Sequence, residues 1–115
     1  MNAGVIGVGN MGRHHARNYS EITGVNLAAV SDIEPKIGKE IAKRFNCRYY
    51  ADYRELLNKE KLDLVTIAVP TKLHKEVALG AIAKGIHILI EKPIAGTVAD
   101  AKIIVQKAKQ KGIKF

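Results

Sequence analysis

The feature that most constrains the fold lies at the start of the chain. A short apolar run, residues 3–8, leads into the hexapeptide GVGNMG at residues 7–12, and a helical pattern follows without a breaker. This is the spacing G-x-G-x-x-G after a strand. Gly7 permits a tight turn, Gly9 lets a phosphate approach the backbone, and Gly12 lets the new helix pack closely on the sheet.

The helix that follows this turn adds to the prediction. Asn10 and Met11 stand at its amino end, where free N–H groups and the partial positive charge of the helix attract phosphate. Glycine-rich turns are common, so the hexapeptide alone is weak evidence and its other interpretation is an ordinary loop. The spacing of the residues that follow favours the dinucleotide-binding interpretation.

An acidic residue stands where a dinucleotide site requires one. The second strand pattern, residues 25–31, ends in Asp32, which is twenty residues after Gly12. A carboxylate there accepts hydrogen bonds from the adenosine ribose hydroxyls and repels a 2′-phosphate. We therefore expect NAD as the cofactor, with NADP disfavoured, although Ser31 and Lys36 lie nearby. The other interpretation of Asp32 is a turn or cap residue before Pro35.

Length and composition fit one globular domain. The chain has 115 residues, of which 47% are hydrophobic, so it can support a core. Its apolar runs are too short to span a bilayer, and no signal peptide is visible, so we expect no membrane partner. The single cysteine, Cys47, favours a reducing, cytoplasmic location and is interpreted as a small core residue and not as a nucleophile.

The chain is strongly basic, with a formal net charge of +8. Its lysines are spread over the helical segments, and only 5% of the residues are aromatic, unlike proteins that stack single-stranded bases on aromatic side chains. We therefore expect no nucleic-acid partner, and interpret the charge as an aid in attracting an anionic ligand such as a dinucleotide or nucleotide sugar.

Strand and helix patterns alternate along the whole chain. Strands joined by helical crossovers pair in parallel, which predicts an α/β fold with a doubly wound parallel sheet of order 3-2-1-4-5-6. We expect a sixth strand to begin at residues 113–115 and to be truncated. The predicted strands are residues 3–8, 26–31, 48–51, 62–69 and 86–90, and the predicted helices begin near Asn10, Pro35, Asp52, Lys72 and Thr97.

Ligands bind such sheets at the carboxyl ends of the strands. Besides Asp32, the polar or turn-forming residues that follow strands are Pro70 and Thr71 after the fourth, and Glu91 and Lys92 after the fifth. Pro93 forces Lys92 out of helical geometry into an extended or turn conformation. The other interpretation of Glu91 and Lys92 is a surface ion pair of little energetic value.

Four stretches together carry a resemblance to a known family. They are GVGNMG at residues 7–12, VSDIEP at 30–35, AVPTKLH at 68–74 and EKP at 91–93. Over all 115 residues the chain resembles the N-terminal half of the glucose–fructose oxidoreductase, inositol dehydrogenase and rhizopine-catabolism (Gfo/Idh/MocA) oxidoreductases. EKP after the fifth strand is the specific signal, and the remainder is generic to the fold.

The resemblance implies a dehydrogenase that moves hydride between a sugar-like alcohol and a nicotinamide cofactor. In the family the lysine of EKP contacts substrate and assists proton transfer, a role that falls on Lys92 as the catalytic residue, with Glu91 orienting it. Thr71 is expected to line the nicotinamide ribose. His74 matches the family's histidine, so it either contacts cofactor or substrate, or is an ordinary residue at a helix start.

The family also carries a second domain that supplies most of the substrate pocket, and this chain stops where the sixth strand begins. We therefore expect residues 1–115 to be the dinucleotide-binding domain of a longer enzyme, inactive alone, with an exposed edge that favours a homo-oligomer. The loop VPTKLHKEVA most resembles family members that act on nucleotide-activated amino sugars, so the resemblance implies such a substrate over inositol or simple sugars. The alternatives are a noncatalytic dinucleotide sensor, which would not need Lys92, and a methyltransferase, whose loop normally lacks the third glycine.

Overall fold

Strands and helices alternate from the first residues to the last. The computed structural model describes residues 1–90 and 94–114. The strands are β1 (Asn2–Ile6), β2 (Asn26–Ser31), β3 (Arg48–Tyr50), β4 (Leu64–Ile67) and β5 (His87–Ile90). The helices are α1 (Asn10–Glu21), α2 (Pro35–Arg44), α3 (Tyr53–Lys59), α4 (His74–Ala83) and α5 (Val98–Lys111).

The strands form one parallel sheet of order β3-β2-β1-β4-β5, which confirms the predicted doubly wound fold. Val5 in β1 pairs with Val30 on one side and with Thr66 on the other. The strand order therefore reverses between β1 and β4, and this reversal opens a crevice at the carboxyl ends of the two strands.

The last described residues run beside β5. The backbone N–H of Ile88 donates to the Lys114 carbonyl oxygen at 3.0 Å, and the Lys114 N–H donates to Nδ1 of His87 at 3.0 Å. Residues 113 and 114 thus lie where a sixth parallel strand would pair, although the last assigned element within the described residues is α5.

Two buried layers enclose the sheet. The first lies between β1, β2 and the helices α1 and α2, and contains Val5, Val30, Ala16 and Ile41. The second lies on the other face, beneath α3, α4 and α5. Its buried members include Ile6, Leu56, Val77, Ile88 and Ile104. Continuous apolar strands are typical of a parallel sheet that is covered on both faces.

Several predicted strands and helices extend beyond the observed ones. β1 stops at Ile6 and not at Val8, because Gly7 takes a φ of +89° that ends the strand. β4 covers four residues, Leu64–Ile67, within the longer apolar run. The helix predicted from Lys72 begins at His74, since residues 71–73 form a 3-10 turn in which the Leu73 N–H donates to the Pro70 carbonyl.

Side chains cap the amino ends of α3 and α5. The Asp52 carboxylate accepts from the Arg54 N–H at 2.9 Å, and the Thr97 hydroxyl accepts from the Asp100 N–H at 3.1 Å. Gly112, with a φ of 68°, ends α5 in the left-handed conformation, as expected for a C-terminal glycine. Among the described residues, none of the helices has the length and apolar character needed to cross a membrane.

Candidate dinucleotide site

Two of the three motif glycines are required by the protein's own packing. Gly7 has a φ of +89°, and a Cβ built there would lie 2.7 Å from the Ala68 carbonyl oxygen in the neighbouring loop. A Cβ at Gly12 would lie 1.6 Å from the carbonyl oxygen of Gly7. A side chain at Gly12 would separate α1 from the turn that precedes it, and a side chain at Gly7 would push this turn away from the loop after β4.

Gly9 is different. A Cβ built on it meets nothing within 4 Å among the described residues. Packing therefore gives no reason for glycine here. Gly9 lines the large cavity described below, so the missing side chain leaves room for a ligand to approach the backbone.

The amino end of α1 supplies donors at this point. The first intrahelical hydrogen bond runs from the Arg13 N–H to the Gly9 carbonyl at 3.1 Å. The N–H groups of Asn10, Met11 and Gly12 precede it, and such groups have no partner within a helix. Asn10 and Met11 are exposed, Met11 to 55%. The helix end therefore presents amide donors and a partial positive charge, which suit a pyrophosphate.

Asp32 follows β2 at the same edge of the sheet. Its Oδ2 accepts from the Val8 N–H at 3.0 Å, and its Oδ1 accepts from the Glu34 N–H at 2.9 Å. The Tyr49 hydroxyl donates to the Asp32 backbone carbonyl at 2.8 Å. These bonds hold the half-buried carboxylate beside the glycine-rich loop, where it retains lone pairs for ribose hydroxyls.

A cavity of about 600 Å³ joins these features, a size typical of cofactor sites. It follows the carboxyl ends of β1, β2, β3 and β4 and includes four of the predicted residues: Gly7, Gly9, Asp32 and Pro70. Its wall also includes Ile33, Tyr53, Arg54, Leu73, Glu76 and Val77.

The loop after β4 places its predicted residues in different surroundings. Pro70 is exposed on the cavity wall, while Thr71 is half-buried at the start of the 3-10 turn. His74 is only 1% exposed. Its Nε2 lies 2.8 Å from the Val69 carbonyl oxygen and its Nδ1 lies 3.1 Å from that of Ile94. The ring thus connects the loop after β4 to the segment that follows residue 93.

The remaining predicted site residues, Glu91 and Lys92, lie outside the described residues. Their assignment therefore stays a prediction. Cys47 is half-buried, and burial raises the pKa of its thiol to about 11. The thiol is protonated at neutral pH, which agrees with a packing role since only thiolates are strong nucleophiles.

Sequence reasoning missed the residues at the far end of the cavity. Ile33 directly follows Asp32, and Tyr53 and Arg54 follow β3. The rule that ligands bind at the carboxyl ends of strands applies to β3 as it does to β2 and β4, and applying it there would have found residues 51–54. Leu73 and Glu76 carry no comparable signal, because they reach the cavity through the position of α4.

The parallel sheet, the glycine turn against a helix end, and the carboxylate after β2 define a Rossmann-type dinucleotide-binding domain. Comparison with known proteins agrees. Residues 1–115 match the oxidoreductase family Gfo/Idh/MocA, described by its NAD-binding Rossmann fold. The chain belongs to this family.

Two of the similar proteins are named as dehydrogenases. The chain is 37% identical over 111 residues to UDP-N-acetylglucosamine 3-dehydrogenase from Acidithiobacillus ferrooxidans, covering 96% of this chain and 34% of that protein. It is 36% identical over 114 residues to inositol 2-dehydrogenase from Acidothermus cellulolyticus, covering 97% and 33%. The chain thus spans about a third of the length of these curated relatives.

Solved structures share the fold. GenD2 from gentamicin A biosynthesis, solved in complex with NAD, superposes with a TM-score of 0.94 at 29% identity, covering 98% of this chain and 32% of GenD2. The A. ferrooxidans enzyme gives a TM-score of 0.91 at 36% identity, covering 98% and 36%. These relatives favour the dehydrogenase interpretation over the noncatalytic sensor.

Proposed function

We propose that this chain is the coenzyme-binding domain of an NAD-dependent dehydrogenase. The observation that carries the proposal is the cavity that brings Gly9 and Asp32 together at the amino end of α1. The helix end holds the pyrophosphate, and the Asp32 carboxylate accepts from the adenosine ribose. Its negative charge favours NAD over NADP. When bound, the nicotinamide ring supplies the hydride acceptor.

Calorimetric titration of the folded chain tests this binding function. We expect heat of binding with NADH, weaker binding with NADPH, and none with S-adenosylmethionine, which a methyltransferase would bind. A single-stranded oligonucleotide is titrated in parallel and is expected not to bind. The proposal fails if neither reduced coenzyme binds at millimolar concentration.

We further propose that the whole enzyme oxidises a hydroxyl group of a nucleotide-activated amino sugar. The likeness to UDP-N-acetylglucosamine 3-dehydrogenase supports this substrate class, and inositol is the competing candidate because of the second relative. The protein encoded by the complete gene is assayed for NADH formation with UDP-N-acetylglucosamine and with inositol. Turnover of inositol alone would overturn the proposed class.

Lys92 is proposed as the group that assists proton transfer from the substrate hydroxyl. Support comes from the EKP sequence that the chain shares with its family. In the complete enzyme, Lys92→Met is expected to lower kcat by about 10²–10⁴-fold, with little change in NADH affinity. Lys72→Met removes a lysine from the 3-10 turn and serves as the control. Equal kcat for Lys92→Met and wild type would reject the role.

The assembly is also a proposal. We infer a homo-oligomer, because among the described residues only the first part of β5 pairs with residues 113 and 114. The rest of this edge strand is open and includes Leu89, which is 44% exposed, and exposed edges favour pairing with another chain. Light scattering during size exclusion measures the mass of the complete protein. A monomer at all tested concentrations would contradict this inference.

A further inference from the structure

The cavity continues beyond Asp32 into a patch with apolar walls. Ile33, directly after Asp32, is 86% exposed at its rim. Tyr53, the first residue of α3, and Leu73, directly before α4, also line it. A large aliphatic side chain so exposed gains by being covered. If the ribose is held at Asp32, the base attached to it reaches these apolar groups.

Tyr53 and Glu76 form a hydrogen-bonded pair of polar side chains within this patch. The Tyr53 hydroxyl, at the start of α3, donates to Oε2 of Glu76, in the first turn of α4, at 2.7 Å. Both residues line the cavity. Burial, together with the hydrogen bond to Glu76, raises the pKa of Tyr53 to about 12. The Tyr53 hydroxyl therefore donates this hydrogen bond at neutral pH. The bond fixes the orientation of the Glu76 carboxylate, whose other oxygen is also a hydrogen-bond acceptor.

We propose that Glu76, positioned by Tyr53, recognises the exocyclic amino group of the coenzyme's adenine. This inference rests on the proposed coenzyme-binding function and names the groups that read its base. An ionised carboxylate only accepts hydrogen bonds, so it is complementary to an amino group. Hypoxanthine carries a keto oxygen at the same position, and that oxygen would face carboxylate lone pairs instead of pairing with them.

Arg54 is the neighbouring group that offers the opposite chemistry. Its guanidinium bonds the Asp52 carboxylate at 3.3 Å and lies 5.6 Å from the centre of the Tyr53 ring. A guanidinium released from Asp52 would donate to the keto oxygen of hypoxanthine. The relative affinities for the two bases therefore discriminate between Glu76 and Arg54 as the group that faces the base.

The experiment compares NADH with reduced nicotinamide hypoxanthine dinucleotide by calorimetric titration. We expect the wild-type chain to bind NADH about tenfold more tightly, because the keto oxygen leaves a charged acceptor unpaired. Glu76→Gln offers both a donor and an acceptor, so the preference should fall to about twofold or less. Tyr53→Phe releases the carboxylate and should give an intermediate preference.

Glu55→Gln is the matched control. Glu55 is an exposed carboxylate of α3 that pairs with Lys59 at 3.6 Å. Its variant should keep the full preference for adenine. The proposal is overturned if NADH binds while wild type shows no preference, if hypoxanthine is preferred, or if Glu76→Gln leaves the preference unchanged. Failure of both dinucleotides to bind any variant would instead reject the coenzyme site itself.

Discussion

The Asp32 carboxylate and the Val8 backbone amide are joined by a hydrogen bond of 3.0 Å. The acidic residue after β2 is therefore fastened to the loop after β1 before any ligand binds. Preorganisation of this kind reduces the entropy lost on binding. It also gives Asp32 two tasks, because the same carboxylate holds the loop and accepts from the ribose.

The first prediction separates these tasks through the choice of coenzyme. Asp32→Ser removes the charge that repels a 2′-phosphate, so the affinity for NADPH relative to NADH should rise by about tenfold or more. Loss of the bond to Val8 weakens both coenzymes alike, and for that reason the ratio is measured by parallel fluorescence titrations. Glu40→Gln removes an exposed carboxylate of α2 that pairs with Arg44. It changes the net charge as Asp32→Ser does, and it should leave the ratio of the two affinities unchanged.

The second prediction concerns the two kinds of glycine in the motif. Gly12→Ala places a methyl group in the position occupied by the Gly7 carbonyl, so it should destabilise the fold by about 3 kcal/mol or more. Gly9→Ala meets no described protein atom within 4 Å, so its loss of stability should be well below that of Gly12→Ala. Its NADH affinity should nevertheless fall about tenfold.

Urea unfolding and NADH titration are both measured on the two variants. A Gly9→Ala protein that is stable and binds NADH normally would show that the ligand does not approach this backbone. A Gly12→Ala protein as stable as wild type would contradict the close contact between α1 and the preceding turn.

The parts of the site that sequence could predict are set by local rules. The positions of Gly7, Gly12 and Asp32 follow from the turn between a strand and a helix and from the end of the next strand. Strand order follows as well, because parallel crossovers allow few alternatives. The rules for turns and strand ends act within one strand–helix–strand unit of about thirty residues, and the structure agrees with the positions that they predict.

The parts that could not be predicted depend on contacts between distant elements. Tyr53 and Glu76 are 23 positions apart and meet only because α3 packs beside α4. His74 was considered for a contact with cofactor or substrate, but its environment depends on which carbonyl groups the two loops bring to it. The ring nitrogens of His74 lie beside the Val69 and Ile94 carbonyl oxygens, and its contact with cofactor or substrate stays a prediction.

The third prediction tests this role of His74. His74→Phe substitutes a somewhat larger ring and removes both ring nitrogens from the Val69 and Ile94 carbonyls, so the free energy of unfolding should fall by about 2–4 kcal/mol. Urea unfolding measures the loss. His14→Phe, on the exposed side of α1, should change stability by less than about 0.5 kcal/mol. Equal stability of the two variants would contradict the buried bridge.

The last prediction concerns an ion pair whose residues do not line the cavity. The Glu60 side chain is 5% exposed and accepts from Arg48 at 2.5 and 2.7 Å and from the Tyr50 hydroxyl at 2.5 Å. Hydrogen bonding to Arg48 lowers the pKa of Glu60, an effect that desolvation opposes in part. The pair fastens the start of β3 to the residue that ends α3.

A lowered pKa in the folded state has a definite consequence for stability. In acid the unfolded chain binds a proton at Glu60 more readily than the folded chain does. The stabilisation is therefore complete above the ordinary glutamate pKa of about 4.3 and is lost as the pH falls through the lower folded value. Because the Arg48 side chain is 67% exposed, solvent screening limits the whole effect to about 1–2 kcal/mol.

Glu60→Gln tests this dependence by urea unfolding at about pH 7 and about pH 3. The variant should be less stable than wild type at the higher pH, and the difference should shrink at the lower pH because wild-type Glu60 is then becoming protonated. Glu21→Gln removes a carboxylate that is 63% exposed and pairs with Arg17 within α1, and its smaller difference serves as the reference. A gap between wild type and Glu60→Gln that stays constant from neutral to acid pH would show that the ionisation of Glu60 does not contribute to the stability of the fold.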